Sequence, residues 1–114
     1  MKPFNAADYL TSLNINVMRF GLQNVSDLLQ RLGHPQKKYP SILIAGTNGK
    51  GSTAVMLASM LQQSGLKVGL YTSPHLVDVR ERIVVNSVQI SRRDFNAVIG
   101  EIKDHVRKPV TYFE

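Results

Sequence analysis

Ile42-Leu43-Ile44-Ala45-Gly46-Thr47-Asn48-Gly49-Lys50-Gly51-Ser52-Thr53 is a short apolar run that ends in a glycine-rich turn. An apolar helical pattern follows at once. The order reads as strand, phosphate loop, helix. Three glycines let backbone N–H groups close around an anion without Cβ interference. The helix that starts near Lys50 points its positive dipole end into the same space. Lys50 supplies a mobile positive charge for the outer phosphates, and Ser52 and Thr53 add hydroxyls. A glycine-rich turn alone would be an ordinary βα turn. Here the strand, lysine, hydroxyls and helix agree with one another. The pattern is close to GxxxxGK[ST], but Gly51 stands between the lysine and the first hydroxyl residue.

The rest of the chain bounds what this loop can belong to. With 114 residues it is long enough for one small domain with a core. Hydrophobic content of 43% against 19% charged residues reads as globular rather than disordered. There is no cysteine, which excludes a disulfide scaffold and a Cys-ligated metal centre. No apolar run approaches the roughly 20 residues of a membrane span, and Met1 to Leu10 lacks a signal-peptide core. The expected location is the cytoplasm, with no membrane partner. The net charge is +6. Its basic residues are scattered in small groups without the alternating aromatics of a single-strand binding surface. The charge therefore reads as solvated faces plus a phosphate site, and no nucleic-acid partner is expected.

Helical spacing of Phe4, Tyr9, Leu10 and Leu13 marks a short helix over 3–12. Val25, Leu28, Leu29 and Leu32 mark a second, capped by Asn24 or Ser26 and ended by Gly33 and Pro35. Ser41–Ala45 reads as a buried parallel strand. Ala54, Leu57, Ala58 and Leu61 form a core-facing stripe with Met56 and Met60 as gap filling, and Gly65 closes that helix. Lys67–Tyr71 reads as a second strand, so 41–71 is a right-handed β-loop-α-β unit. The fold class is α/β, a phosphate-loop-type parallel sheet with flanking helices. Ligands in such sheets sit beyond the carboxyl ends of the strands. Ile83–Val85 and Val88–Ile90 read as a hairpin about Asn86-Ser87, with Ser87 uncomfortable in a primed turn. Ser91 and Asp94 open a last helix along Phe95, Val98, Ile99 and Ile102, which is expected to end near Lys108 before Pro109.

Gly46-Thr47-Asn48-Gly49-Lys50-Gly51-Ser52-Thr53 resembles the phosphate loop of the folylpolyglutamate synthase/dihydrofolate synthase family, within the Mur-type ATP-dependent amide ligases. Mur ligases proper usually carry Thr or Ser directly after the lysine, so Gly51 favours the folate branch. A second match is Thr72-Ser73-Pro74-His75-Leu76, followed by Glu81-Arg82-Ile83. A third is Thr111-Tyr112-Phe113-Glu114, and a looser one is Arg19-Phe20-Gly21. Together the resemblance runs from about Phe20 to Glu114.

The resemblance implies a Mur-ligase-like ATPase domain, of which residues 1–114 are the N-terminal part. It implies ATP and Mg²⁺ as cofactors. Thr47, Asn48, Gly49, Lys50, Gly51, Ser52 and Thr53 would bind ATP, with Lys50 as the catalytic cation. Ser73 would be a magnesium ligand, although on the segment alone it reads as a cap on the turn before Pro74. Arg19, Phe20 and Gly21, with Thr111, Tyr112, Phe113 and Glu114, would contact the pterin substrate. Where the family often has Glu and Arg after that first segment, this chain has Gln23 and Asn24. Local sequence alone reads 19–22 as an interhelical turn and 111–114 as a β-like run. His75 reads as structural, and Glu81 and Arg82 read equally as an ion-paired anchor or ligand contacts.

The implied activity is an ATP-dependent addition of L-glutamate to dihydropteroate, to folates, or to both, through an acyl phosphate. Family members are several times longer. The chain is therefore expected to be a fragment, inactive alone, that self-associates to cover an incomplete sheet, whereas a full-length enzyme would be a monomer. Two other readings stand beside this one: a Mur-type ligase acting on a cell-wall precursor, and a non-catalytic nucleotide-binding module.

Overall fold

A computed structural model describes residues 2–14, 16 and 19–114. The chain forms two compact units, one of 1–40 with 93–114 and one of 41–92.

The first unit is helical. Helix α1 spans Ala6–Ser12, and the Asn5 side chain caps it by accepting from Asp8 N. Helix α2 spans Gln23–Arg31. Its N-cap is Leu22 with no side-chain cap, so neither Asn24 nor Ser26 plays the expected capping part. Both lie inside the first turn, where their side chains cannot reach back to the cap. Gly33 at φ 81° ends this helix, and a 3₁₀ turn over Pro35–Lys37 follows.

Helix α4 spans Arg92–His105. It stops three residues short of the expected Lys108. The Arg107 guanidinium donates to the free carbonyl of Asp104 at 2.6 Å, which closes the helix end before Pro109 is reached. The core lies here, with Ala6, Leu28 and Phe95 buried. Asn96 on α4 accepts from Ala6 N at 2.9 Å, and Lys103 sits over the rings of Phe4 and Tyr9 at 5.1 and 5.3 Å.

The second unit holds α3, Lys50–Gln63, and a three-stranded sheet. Strand β1 is Gly69–Tyr71, β2 is Ile83–Val85 and β3 is Val88–Gln89. All pairing is antiparallel, with Leu70 opposite Val84 and Val85 opposite Val88. The parallel pair expected from 41–45 and 67–71 is not formed. Residues 41–45 carry no strand, and Leu43 is 92% exposed. A parallel strand needs a ladder partner and covered faces, and β1 instead pairs with the hairpin. Helix α3 packs on β1, yet its stripe is at best half-buried. Met56 and Met60 are exposed rather than core filling.

The hairpin corrects a further expectation. Asn86 and Ser87 have φ of 48° and 66°, so the two-residue primed turn forms with serine in the second place. Side-chain bonds hold it there. Asn86 Oδ1 accepts from Val68 N at 2.8 Å, and Ser87 Oγ donates to Gln62 Oε1 at 2.7 Å.

Candidate functional site

The candidate residues fall into two groups, one in each unit. In the second unit, Gly49 is the N-cap of α3 with φ 74°, a left-handed conformation that glycine takes without steric cost. No side chain caps this helix. The first intrahelical bond here is Thr53 N to Gly49 O at 2.9 Å. The N–H groups of the preceding turn, at Lys50, Gly51 and Ser52, therefore lack intrahelical acceptors. Thr47 through Thr53 are all exposed. A Cβ placed on Gly46, Gly49 or Gly51 would meet no atom within 4 Å, so the space above the loop is open. Uncapped N–H groups, a lysine and open space suit a polyphosphate.

Ser73 lies two residues past β1 and is exposed. No hydrogen bond joins it to 46–53 among the described residues. No group of three or more His, Cys, Asp or Glu side chains could hold a metal ion among the described residues. A divalent cation at Ser73 would take its hydroxyl oxygen, the ligand type that suits Mg²⁺.

The segment after Ser73 is held from within. Glu81 accepts three successive backbone N–H groups, from Leu76 at 3.0 Å, Val77 at 2.9 Å and Asp78 at 2.6 Å. These bonds, that of Leu76 first, hold its carboxyl below the ordinary glutamate range. Asp78 caps the 3₁₀ turn Val79–Arg82 and pairs with Arg80 at 2.9 Å. The Arg80 hydrogen bonds lower the Asp78 carboxyl likewise. Glu81 is thus a loop anchor. A sequence signal existed for this: Asp78-x-x-Glu81 is a capping-box spacing.

In the first unit, Arg19 and the 111–114 segment meet although they stand at opposite ends of the sequence. Arg19 Nη1 donates to Pro109 O at 2.7 Å and lies 3.7 Å from Glu114 Oε2. Thr111 is buried, 3% exposed. Its N–H donates to Glu114 Oε2 at 2.8 Å, and Glu114 N donates back to Thr111 Oγ1 at 3.3 Å. This reciprocal pair has the bonding pattern of a capping box. The Thr111 N–H first, and then the charge of Arg19, hold the Glu114 carboxyl below its ordinary range, with a hydrogen bond from Asn24 contributing. Phe20 is 96% exposed, Gly21 takes φ 94°, and Tyr112 and Phe113 stack edge to face at 5.9 Å.

No protein-family model matches the chain. Known sequences do. Over 86 residues it is 46% identical to a Bacillus subtilis dihydrofolate synthase/folylpolyglutamate synthase, covering 75% of this chain and 20% of that protein. The solved folylpolyglutamate synthetase of Lactobacillus casei superposes with a TM-score of 0.87 at 31% identity, over 95% of this chain and 29% of that one. The chain belongs to the folylpolyglutamate synthase/dihydrofolate synthase family. A folylpolyglutamate synthase structure in complex with AMPPCP and folate matches with a TM-score of 0.86 at 30% identity, over 96% of this chain and 30% of that one. The expected fold class is therefore met, as an incomplete Mur-ligase-like domain. The chain spans about a fifth of the Bacillus synthase it matches.

Proposed function

We propose that the chain is the N-terminal, nucleotide-binding part of an ATP-dependent ligase of folate metabolism. The full enzyme would join L-glutamate to dihydropteroate, to folates, or to both. The observation that carries this is the uncapped first turn of α3 behind Gly46–Lys50, in a chain homologous to synthases and matched by a complex with AMPPCP and folate.

On this reading the loop amides and Lys50 receive the nucleotide phosphates. Thr47, Asn48 and Gly49 shape the turn, Gly51 keeps the approach open, and Ser52 and Thr53 lend hydroxyls. Ser73 would donate an oxygen to Mg²⁺, which neutralises phosphate charge when bound. Charge neutralisation is what phosphoryl transfer demands of a protein. The carboxylate of the acceptor would take the phosphoryl group, and the amine of glutamate would displace it as phosphate, leaving an amide. Arg19, Phe20 and Gly21 with Thr111 through Glu114 would contact the pterin end. The Arg19–Glu114 contact supports treating those two segments as one patch.

The test is Lys50→Ala in the full-length enzyme. Turnover is expected to fall at least about 100-fold, the scale set by removing one preorganised electrostatic group. Wild-type turnover would refute the phosphate-loop assignment.

A further inference from the structure

His75 and Arg82 have no task in the reading above. Arg82 Nε donates to His75 Nδ1 at 2.8 Å. A guanidinium nitrogen only donates, so Nδ1 is the acceptor and the ring proton sits on Nε2. Arg82 is itself braced. Its Nη1 reaches the Tyr71 hydroxyl at 3.5 Å, and its carbonyl accepts from Thr72 N at 3.1 Å. The pair therefore ties the end of β1 to the segment that carries Ser73. Glu81 fixes the backbone immediately after His75 through Leu76, Val77 and Asp78. The imidazole is thus held from the backbone side and from the ring side. Its Nε2 has no protein partner among the described residues and is not sealed from solvent. A ring fixed this firmly, with its one donor left unused, is arranged to give a hydrogen bond to something that arrives.

We propose that Arg82 is a positioning residue that fixes His75 as an Nε2–H donor, and that His75 gives this bond to an anionic oxygen of the polyphosphate received beside Ser73. The assignment rests on the nucleotide reading above. A phosphate oxygen is the acceptor its neighbourhood favours, because Ser73 stands two residues away and Lys50 belongs to the same unit. An Nε2–H ring donates directionally without adding a further positive charge beside the guanidinium.

The experiment uses the 114-residue chain labelled with ¹⁵N, and Mg·AMPPCP as the probe. Long-range ¹H–¹⁵N spectra of the imidazole should show Nδ1 bare and Nε2 protonated at neutral pH. Arg82→Leu should mix the tautomers, and Arg82→Lys should restore the single one. Adding Mg·AMPPCP should shift the His75 Nε2 signal. His75→Gln, whose amide nitrogen stands in for Nε2, should bind within about threefold of wild type, whereas His75→Phe should bind about tenfold more weakly. An Nδ1–H ring in the wild type overturns the proposal. So does an Nε2 signal that stays fixed while Mg·AMPPCP binds. Lys50→Ala separates the two readings. Weak binding by Lys50→Ala with wild-type binding by His75→Phe overturns the role of His75 alone. Undiminished binding by Lys50→Ala, or none by the wild type, overturns the nucleotide reading and this proposal with it.

Discussion

Glu81 does for the Ser73–Arg82 segment what a metal or a disulfide does in other small loops. One carboxylate gathers three N–H groups that would otherwise face water. Its ionised form is the one that accepts, so its carboxyl titrates below the ordinary value, with the Leu76 N–H the largest cause. A carboxylate whose folded pKa lies under its unfolded one stabilises the fold above the ordinary carboxylate range. That contribution is lost as pH falls through the lowered value. Asp78 acts in the same direction through Arg80. Amide protection of Leu76, Val77 and Asp78 should therefore persist through the ordinary carboxylate range and vanish only below it. In Glu81→Ala it should be missing at every pH. Hydrogen exchange read residue by residue decides this, and protection of those three amides in Glu81→Ala would sink the anchor assignment.

The Asn86-Ser87 turn shows why some elements could be read from sequence and others could not. A helix closes its hydrogen bonds within four residues, so the apolar spacing around Leu28 and Phe95 sufficed to find α2 and α4. The proposed phosphate loop is equally local, since glycines, lysine and helix start lie within eight residues. A strand needs a partner from elsewhere. Nothing within 41–45 says whether that partner is present, and the antiparallel choice of β1 is settled by the hairpin. The meeting of Arg19 with Glu114 is likewise invisible to local reading and entered only through family resemblance. In the turn, glycine is the usual occupant of the second position, but the Ser87–Gln62 bond offsets the steric cost of φ 66°. Ser87→Gly should thus be close to neutral, because it relieves strain and loses that bond. Asn86→Ala should destabilise by about 2 kcal/mol, from one lost hydrogen bond and an alanine forced into the left-handed region. Urea unfolding of the two variants beside wild type measures both. An Asn86→Ala variant as stable as wild type would show that the Val68 bond of Asn86 does not hold the hairpin.

The buried residues of the molecule belong to the helical unit; none of 41–92 is buried. That imbalance bears on the chain as a whole. Ile42 and Leu43 are 66% and 92% exposed and adjacent in a segment whose sequence reads as a strand, in which neighbours would face opposite ways. Both sides of this segment are apolar, as suits a strand covered on two faces, and its backbone lacks a ladder. Backbone left without a ladder in such an apolar segment is open to pairing with another chain. In isolation, a second copy offers the same segment with the same need. The 114-residue chain is therefore expected to self-associate with increasing concentration, and sedimentation velocity measures this directly. Leu43→Lys places a charge on the segment and should shift the distribution toward monomer, because an edge lysine opposes strand addition. Lys50 and Ser73 lie outside the substituted position, so Mg·AMPPCP binding per chain should change little. A wild-type chain that stays monomeric and unfolds cooperatively would show that the second unit is stable without a cover. Loss of nucleotide binding in Leu43→Lys would show instead that pairing of this segment shapes the proposed phosphate loop, and that assembly and ligand binding are one equilibrium in this chain.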